Sequence, residues 1–321
     1  MLFRSVLIVG RMQTVLSVLL FAGILFVLGS PKPRPLFKRA ASLVIFCLVV
    51  FAAQEIWRQT HREFRMTVLD VGQGDAIYFE FPKGGNMLVD AGGARFSDKG
   101  RWVISPFLKS KGVRTLDAIV ISHPQEDHIG GFMAVMDDFR VKKVFHGGKF
   151  YPSYLWKQIQ RRIAVEKSDV RVVGKGDKIE DFPGVQVSVL GPDKDFSHKN
   201  INDDSVVLKI GYGEDSFLLT GDIQTPAMHD LLLSEQALEA DVLKVPHHGA
   251  KLTSEGMAFV QEVHPTFSPI SVGERNPFGH PAPVTLEALS AIPGNQVLRT
   301  DEKGAISLVS DGHGLKLDWA R

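Results

Sequence analysis

Two imidazoles and a carboxylate that could hold a metal fall within six residues, in the run His123-Pro124-Gln125-Glu126-Asp127-His128, directly after the apolar stretch 116–122. A turn at the end of a strand, leading into a helix, can aim His123, Asp127 and His128 at one point. Three further runs repeat the arrangement. Leu218-Leu219-Thr220-Gly221-Asp222 ends an apolar stretch in a carboxylate, Val245-Pro246-His247-His248-Gly249 ends another in paired imidazoles, and Asn276-Pro277-Phe278-Gly279-His280 follows the stretch 266–272. Ligands placed at the carboxyl ends of separate strands converge on one edge of a sheet. Imidazole and carboxylate suit a divalent cation, and an ion with an open position turns bound water into a nucleophile near neutral pH. Other hydrolytic chemistries have no support. No Gly-x-Ser-x-Gly elbow occurs, and Val71-Gly72-Gln73-Gly74-Asp75-Ala76 lacks the lysine of a phosphate-binding loop. The single cysteine, Cys47, rules out an internal disulfide and a multi-cysteine metal site.

Positioning these residues requires strands that alternate with helices. After Arg65 the chain is built from short β-rich runs, among them 66–81, 86–93, 116–122, 185–192, 205–210, 216–222, 241–249, 265–273 and 304–310. Helical patterns stand between them at 129–139, 226–238, 254–263 and 283–291. That order predicts a layered α/β domain over 66–321, with sheets buried between helices.

Residues 1–65 differ in kind. They carry nine basic and two acidic residues, whereas 66–321 carries 28 and 34. Residues 12–29 lack any charge, and 40–53 is almost wholly apolar, so 1–65 is expected to be a membrane anchor with two candidate transmembrane helices. Lys32, Arg34, Lys38 and Arg39 crowd the loop between them, and the positive-inside rule puts that loop in the cytoplasm. The expected location is the cytoplasmic (inner) membrane, with the large domain extracytoplasmic. One span followed by a surface helix would place the domain on the other side.

The motifs as a set resemble the metallo-β-lactamase-fold superfamily, and within it the carboxy-terminal domain of ComEC-type competence proteins. The resemblance is carried by LDVGQGDAI at 69–77, LVDAGG at 88–93, SHPQEDHIGG at 122–131, NDDSVVL at 202–208, LLTGD, VLKVPHHG, SVGERNPFGHP and RTDEKGAI at 299–306. It implies an αββα sandwich, here preceded by a transmembrane hairpin, with one or two divalent ions (Zn or Mn) at the edge of the two sheets. His123, Asp127, His128, Asp222 and one of His247, His248 and His280 are then the metal ligands, with His247 preferred. Asp127 would orient the attacking water, and His248 and His280 would touch substrate or leaving group. Asn202 would orient a phosphate or bind metal weakly. Asp70, Asp75 and Asp90 would support the imidazoles or shape turns. The superfamily's third signature position is Gln125 here, and a neutral amide is a poor ligand, so one of two ion positions is weakened. ComEC-type proteins also carry many more spans than this chain, which by itself is not a DNA pore.

The function expected is a membrane-anchored metal-dependent hydrolase, a nuclease or phosphodiesterase linked to DNA uptake. Its partners would be DNA and a separate channel subunit. Residues 140–175 hold ten basic side chains against Glu166 and Asp169, interleaved with aromatics. Lys142, Lys143, Arg161 and Arg162 are the candidate phosphate contacts there; the competing reading is a solvated helix whose aromatics are core. Two other functions fit the same motifs. One is a catalytically impaired module that binds nucleic acid or a channel subunit, the other an extracytoplasmic hydrolase of a small ester.

Overall fold

Phe64, Met66 and Val68 alternate with Arg65 and Thr67 along strand β1 (Phe64–Val68), and a period of two puts the three apolar groups on one face. All three are fully buried. The same logic runs through both sheets of the computed structural model, which describes residues 21–23, 41–53, 63–93, 97–149, 151–234 and 236–319. These fall into two units, 1–62 with 106–113 and 63–105 with 114–321.

In the second unit, among the described residues, one sheet has eight strands and the other six. The first contains β1, β2 (Ile77–Glu80), β3 (Asn86–Val89), β4 (Thr115–Ile121), β5 (Arg140–His146) and β6 (Asp169–Val172). The second begins with β7 (Gln186–Gly191), β8 (Val207–Tyr212), β9 (Asp215–Leu219), β10 (Val242–Lys244), β11 (Phe267–Ile270) and β12 (Gln296–Arg299), and the chain then returns to the first sheet as β13 (Ile306–Ser310) and β14 (Leu315–Trp319). The orders are β14-β13-β1-β2-β3-β4-β5-β6 and β12-β11-β10-β9-β8-β7.

The inner faces meet in one apolar core that includes Phe64, Phe79, Val120, Leu208, Phe217, Leu219 and Val242. Phe64 reaches across to Phe217, their rings stacked at 4.7 Å. A second core lies between the outer face of the six-stranded sheet and the helices Thr225–Leu232, Ser254–Val263 and Pro283–Ser290, built from Leu218, Leu243, Phe259, Val260 and Leu289 among others. Helices Phe132–Asp138 and Tyr154–Glu166 pack against β5 of the other sheet. The result is a mixed α/β fold with two sheets and helices outside each.

Strands β3 to β6 run parallel, as do β9 to β12. Their carboxyl ends carry the candidate ligands, so the parallel halves of the two sheets determine where chemistry can occur.

In the first unit, 21–23 and 41–53 are helical. Residues 41–53 carry Ser42 as their only side chain other than apolar ones and the lone cysteine, and Leu43, Ile45, Phe46, Leu48 and Val49 are all exposed. Among the described residues no helix is long and apolar enough to cross a membrane. Apart from 21–23, the candidate span 12–29 and the basic loop 32–39 lie outside the described residues.

Candidate metal centre

Each functional side chain leaves the end of a strand. Asp90 follows β3, Ser122 and His123 follow β4, Asp222 comes three residues after β9, His247 and His248 follow β10, and Ser271 follows β11. Asp127 and His128 sit on the short helix Glu126–Ile129 that begins after the β4 turn. The loop before β2 comes close enough to this helix that a Cβ on Gly74 would lie 2.1 Å from the Asp127 carbonyl oxygen, and Gly74 has φ +125. Only glycine fits there, which accounts for the Gly-x-Gly-Asp run.

Asp127, His128, Asp222 and His248 each bring one ligand atom into a group whose atoms all lie within 4.8 Å of one another. Asp222 Oδ2 stands 3.2 Å from His128 Nε2 and 3.4 Å from His248 Nε2. Asp127 Oδ2 stands 3.9 and 3.5 Å from the same two nitrogens. Asp222 and both imidazoles are buried, whereas Asp127 is one-third exposed at 33%. That carboxylate is therefore the one open to an incoming molecule.

The outer nitrogens are all engaged, and the bonds determine which nitrogen carries the proton. His128 Nδ1 lies 2.8 Å from Asp90 Oδ2, and His248 Nδ1 lies 2.9 Å from the carbonyl of Ser271. Both partners only accept, so both Nδ1 atoms donate. His123 Nδ1 lies 3.1 Å from Ser122 Oγ and 3.3 Å from Ser205 Oγ. Those hydroxyls already give their protons to Asp90 Oδ2 at 2.6 Å and to the Asn202 carbonyl at 2.7 Å, so His123 Nδ1 also donates. Each Nε2 is thus left as the ligating atom. Carboxylate and carbonyl partners of this kind orient metal-bound imidazoles.

The donor set fits a divalent cation. His123 Nε2, His128 Nε2, His248 Nε2 and Asp222 Oδ1 are buried and lack hydrogen-bond partners, although buried polar atoms are rarely left so. Electrostatics points the same way. Burial lowers the pKa of His128, but Asp222, Asp127 and Asp90 outweigh it and hold the ring protonated well above its ordinary value. Burial likewise opposes a proton on His248, yet Asp222 and Asp127 raise it to about 10. Despite burial, His128 and His248 take Asp222 well below the carboxylate range and Asp127 to about 2. Buried carboxylates that draw protons onto two imidazoles would accept a cation between them instead, with the imidazoles neutral. His123, desolvated and beside the positive His128, falls to about 3 and is neutral already.

Residues 69–257 match the family model for the metallo-beta-lactamase superfamily. The chain belongs to that superfamily. It is 29% identical over 314 residues to ComE operon protein 3 of Bacillus subtilis, an alignment covering 94% of this chain and 40% of that one. It is 30% identical over 262 residues to competence protein ComA of Neisseria gonorrhoeae, covering 81% of this chain and 34% of that one. The chain therefore spans well under half the length of either relative. Among solved structures it resembles CmlA, a diiron β-hydroxylase from Streptomyces venezuelae, with a TM-score of 0.51, 15% identity, and coverage of 78% of this chain and 55% of that one. The last likeness concerns the fold alone.

Within this metallo-β-lactamase fold, the imidazole grouped with Asp127, His128 and Asp222 is that of His248, whereas the sequence reading preferred His247. His247 Nε2 is 3.8 Å from Asp222 Oδ2 and 3.5 Å from the Asn202 side-chain nitrogen, and its Nδ1 is 3.2 Å from Gln224 Nε2. It stands beside the group, toward Asn202. His280 follows outward, its ring 5.6 Å from that of His247. Burial lowers the pKa of both, which keeps them neutral. Asn202 is buried with its Oδ1 unpartnered. Gln125 precedes the helix Glu126–Ile129 without capping it through its side chain.

Sequence reasoning missed Lys244. Its side chain is fully buried, with Nζ 2.7 Å from Asp75 Oδ2 and donating to the Val245 carbonyl at 2.9 Å. Asp75 Oδ1 faces His248 Nδ1 at 3.5 Å. A lysine inside the apolar run Val242-Leu243-Lys244-Val245 was the available signal, since Lys is almost never fully buried without a partner. Asp90 holds the His128 imidazole, whereas Asp75 pairs with Lys244. Asp70 instead shapes a turn, accepting from the Gly72 amide at 3.2 Å.

The basic stretch does not form one free face. Lys142 pairs with Asp117 at 2.6 Å and Lys143 with Asp181. Arg162 pairs with Glu166 at 2.6 Å and with Asp137 at 3.1 Å, and Arg161 is exposed on the same helix. Lys142 and Lys143, adjacent on β5, project to opposite faces of the sheet. Strand rise puts Lys143 roughly 10 Å back from His146 at the end that borders the site. Of the aromatics, Phe145 and Trp156 are core, whereas Tyr154 is exposed. Tyr154–Glu166 is thus the amphipathic helix of the competing reading.

Proposed function

We propose that the chain is a metal-dependent phosphodiesterase acting on nucleic acid, held at a membrane and serving DNA uptake. The observation that carries the hydrolytic part is the convergence of Asp127, His128, Asp222 and His248 with their partnerless buried donor atoms. When bound there, Zn²⁺ or Mn²⁺ supplies a Lewis acid and lowers the pKa of water. The chain's own groups do the rest. Asp222, His128 and His248 hold the ion, and Asp127, the carboxylate open to solvent, accepts a hydrogen bond from the attacking water and sets its angle. His280, which is neutral, offers an N–H to the leaving oxygen. His123, with Gln125 and Asn202 as neutral amide neighbours, furnishes a weaker second ion position, so the centre holds one ion tightly.

The role in competence draws support from the name of the Neisseria relative, competence protein ComA, and nucleic acid is the substrate that such a role would present. Membrane anchoring draws support from the exposed apolar helix at 41–53 and from the basic residues between the two apolar stretches of 1–65. In this reading the ion-bearing domain lies outside the cytoplasmic membrane, and a separate subunit forms the channel.

Assaying the full chain on single- and double-stranded DNA tests the function. Cleavage is expected with added Mn²⁺ or Zn²⁺ and is expected to vanish in EDTA. Hydrolysis of small esters with no cleavage of either DNA would refute the nucleic-acid assignment, and EDTA-resistant cleavage would refute the metal.

A further inference from the structure

Phe278 is 64% exposed, unusual for a large apolar ring beside a catalytic centre, and its surroundings hold it there. The Asn276 side chain knots the loop around it. Oδ1 accepts from the backbone amides of Phe278 at 3.2 Å and His280 at 3.1 Å, while Nδ2 donates to the carbonyls of Gly273 at 3.0 Å and His280 at 2.6 Å. These four bonds cap a short excursion of chain and prevent the ring from folding inward.

From Phe278 the rings run inward toward the ion site. Phe278 stacks on His280 with centroids 5.8 Å apart and planes 29° from parallel. His280 meets His247 edge-on at 5.6 Å, and His247 meets His248 edge-on at 6.2 Å. One face of Phe278 is therefore turned to a ring of the site, and the remainder of the ring is exposed. Arg275 stands three residues away in the same loop, its side chain 91% exposed, with the exposed Glu274 at 3.7 Å as its one ion partner among the described residues. A flat apolar ring at the rim beside a solvated guanidinium suits a ligand with a π face next to a phosphate.

We propose that Phe278 is a stacking platform for an unpaired base of the nucleic-acid strand, next to the phosphodiester at the ion site. This rests on the phosphodiesterase reading and narrows it to single-stranded substrate, because a base within a duplex has no free face to offer. It also adds a nucleic-acid contact in the loop 273–280 to the stretch 140–175, where Lys142, Lys143 and Arg162 are paired with carboxylates.

Fluorescence anisotropy of the full chain in EDTA, where nothing is cleaved, tests the inference with two probes. One is a single-stranded oligothymidylate, the other an abasic strand of the same length. The wild type is expected to bind the thymidylate more tightly. Phe278→Ala should weaken thymidylate binding roughly 5- to 150-fold, the range for one base–aromatic stack, and leave abasic binding unchanged; Phe278→Trp should retain the preference. Equal affinity of the wild type for both probes, failure to bind either, or a loss in Phe278→Ala shared by both would overturn the proposal. If base preference depends on Phe278 but added metal brings no cleavage, the platform stands and the phosphodiesterase reading fails.

Discussion

Asp127→Ala is expected to leave the sandwich folded and to lower hydrolysis by about 10²–10⁴-fold, the range for removing a positioned proton-handling group. Stability should change little because Asp127 is partly exposed on a surface helix and contributes nothing to either apolar core. Activity depends on it because Asp127 is the solvent-facing member of the group, within 3.5 Å of His248 Nε2. Circular dichroism and thermal melting should match wild type while turnover falls. Undiminished turnover would remove Asp127 from the mechanism, and collapse of the fold would make it structural.

Lys244→Met is expected to act in the opposite way, on stability first. Methionine fills similar volume but removes the ammonium 2.7 Å from Asp75, leaving a carboxylate that is itself only 1% exposed with the more distant His248 imidazole, at 3.5 Å, as its charged neighbour. Breaking a buried pair from one side costs about 3–5 kcal/mol, a large share of the roughly 5–15 kcal/mol that holds a domain together. Adding Asp75→Asn should restore part of that loss, because the two residues form one unit and their effects do not add. Urea unfolding of the two single variants and the double variant provides the test. A single Lys244→Met variant as stable as wild type, or a double variant less stable than Lys244→Met alone, would show that the pair does not act as the structure implies.

Much of the centre was legible because the chemistry sits at strand ends. His123, Asp127, His128 and Asp222 stand within three residues of the end of an apolar strand or on the first helix beyond one, so the pattern of apolar runs marks them. The choice between His247 and His248 was not legible. Both residues adopt left-handed conformations, at φ 47 and 56, and adjacent side chains in such a turn do not follow strand alternation. Gln224 and Asn202 engage His247, and neither lies near it in sequence. The pairing of cations within the basic stretch was not legible for a related reason. Asp117 and Asp181, which pair with Lys142 and Lys143, are 25 and 38 positions away, so a local charge count sees cations and not their partners. Trp156, Ile159 and Ile163 sit at helical spacing and are buried, and that periodicity is the local signal that favoured a core-packed helix. Lys244 shows the same limit, since its partner lies on the loop before β2.

Metal bound per chain, measured by mass spectrometry on wild type, His248→Ala and His247→Ala after loading with Zn²⁺ and desalting, tests the centre most directly. The geometry predicts one tightly held ion in wild type, its loss in His248→Ala, and its retention in His247→Ala. No ion in wild type, or loss in His247→Ala with retention in His248→Ala, would contradict it.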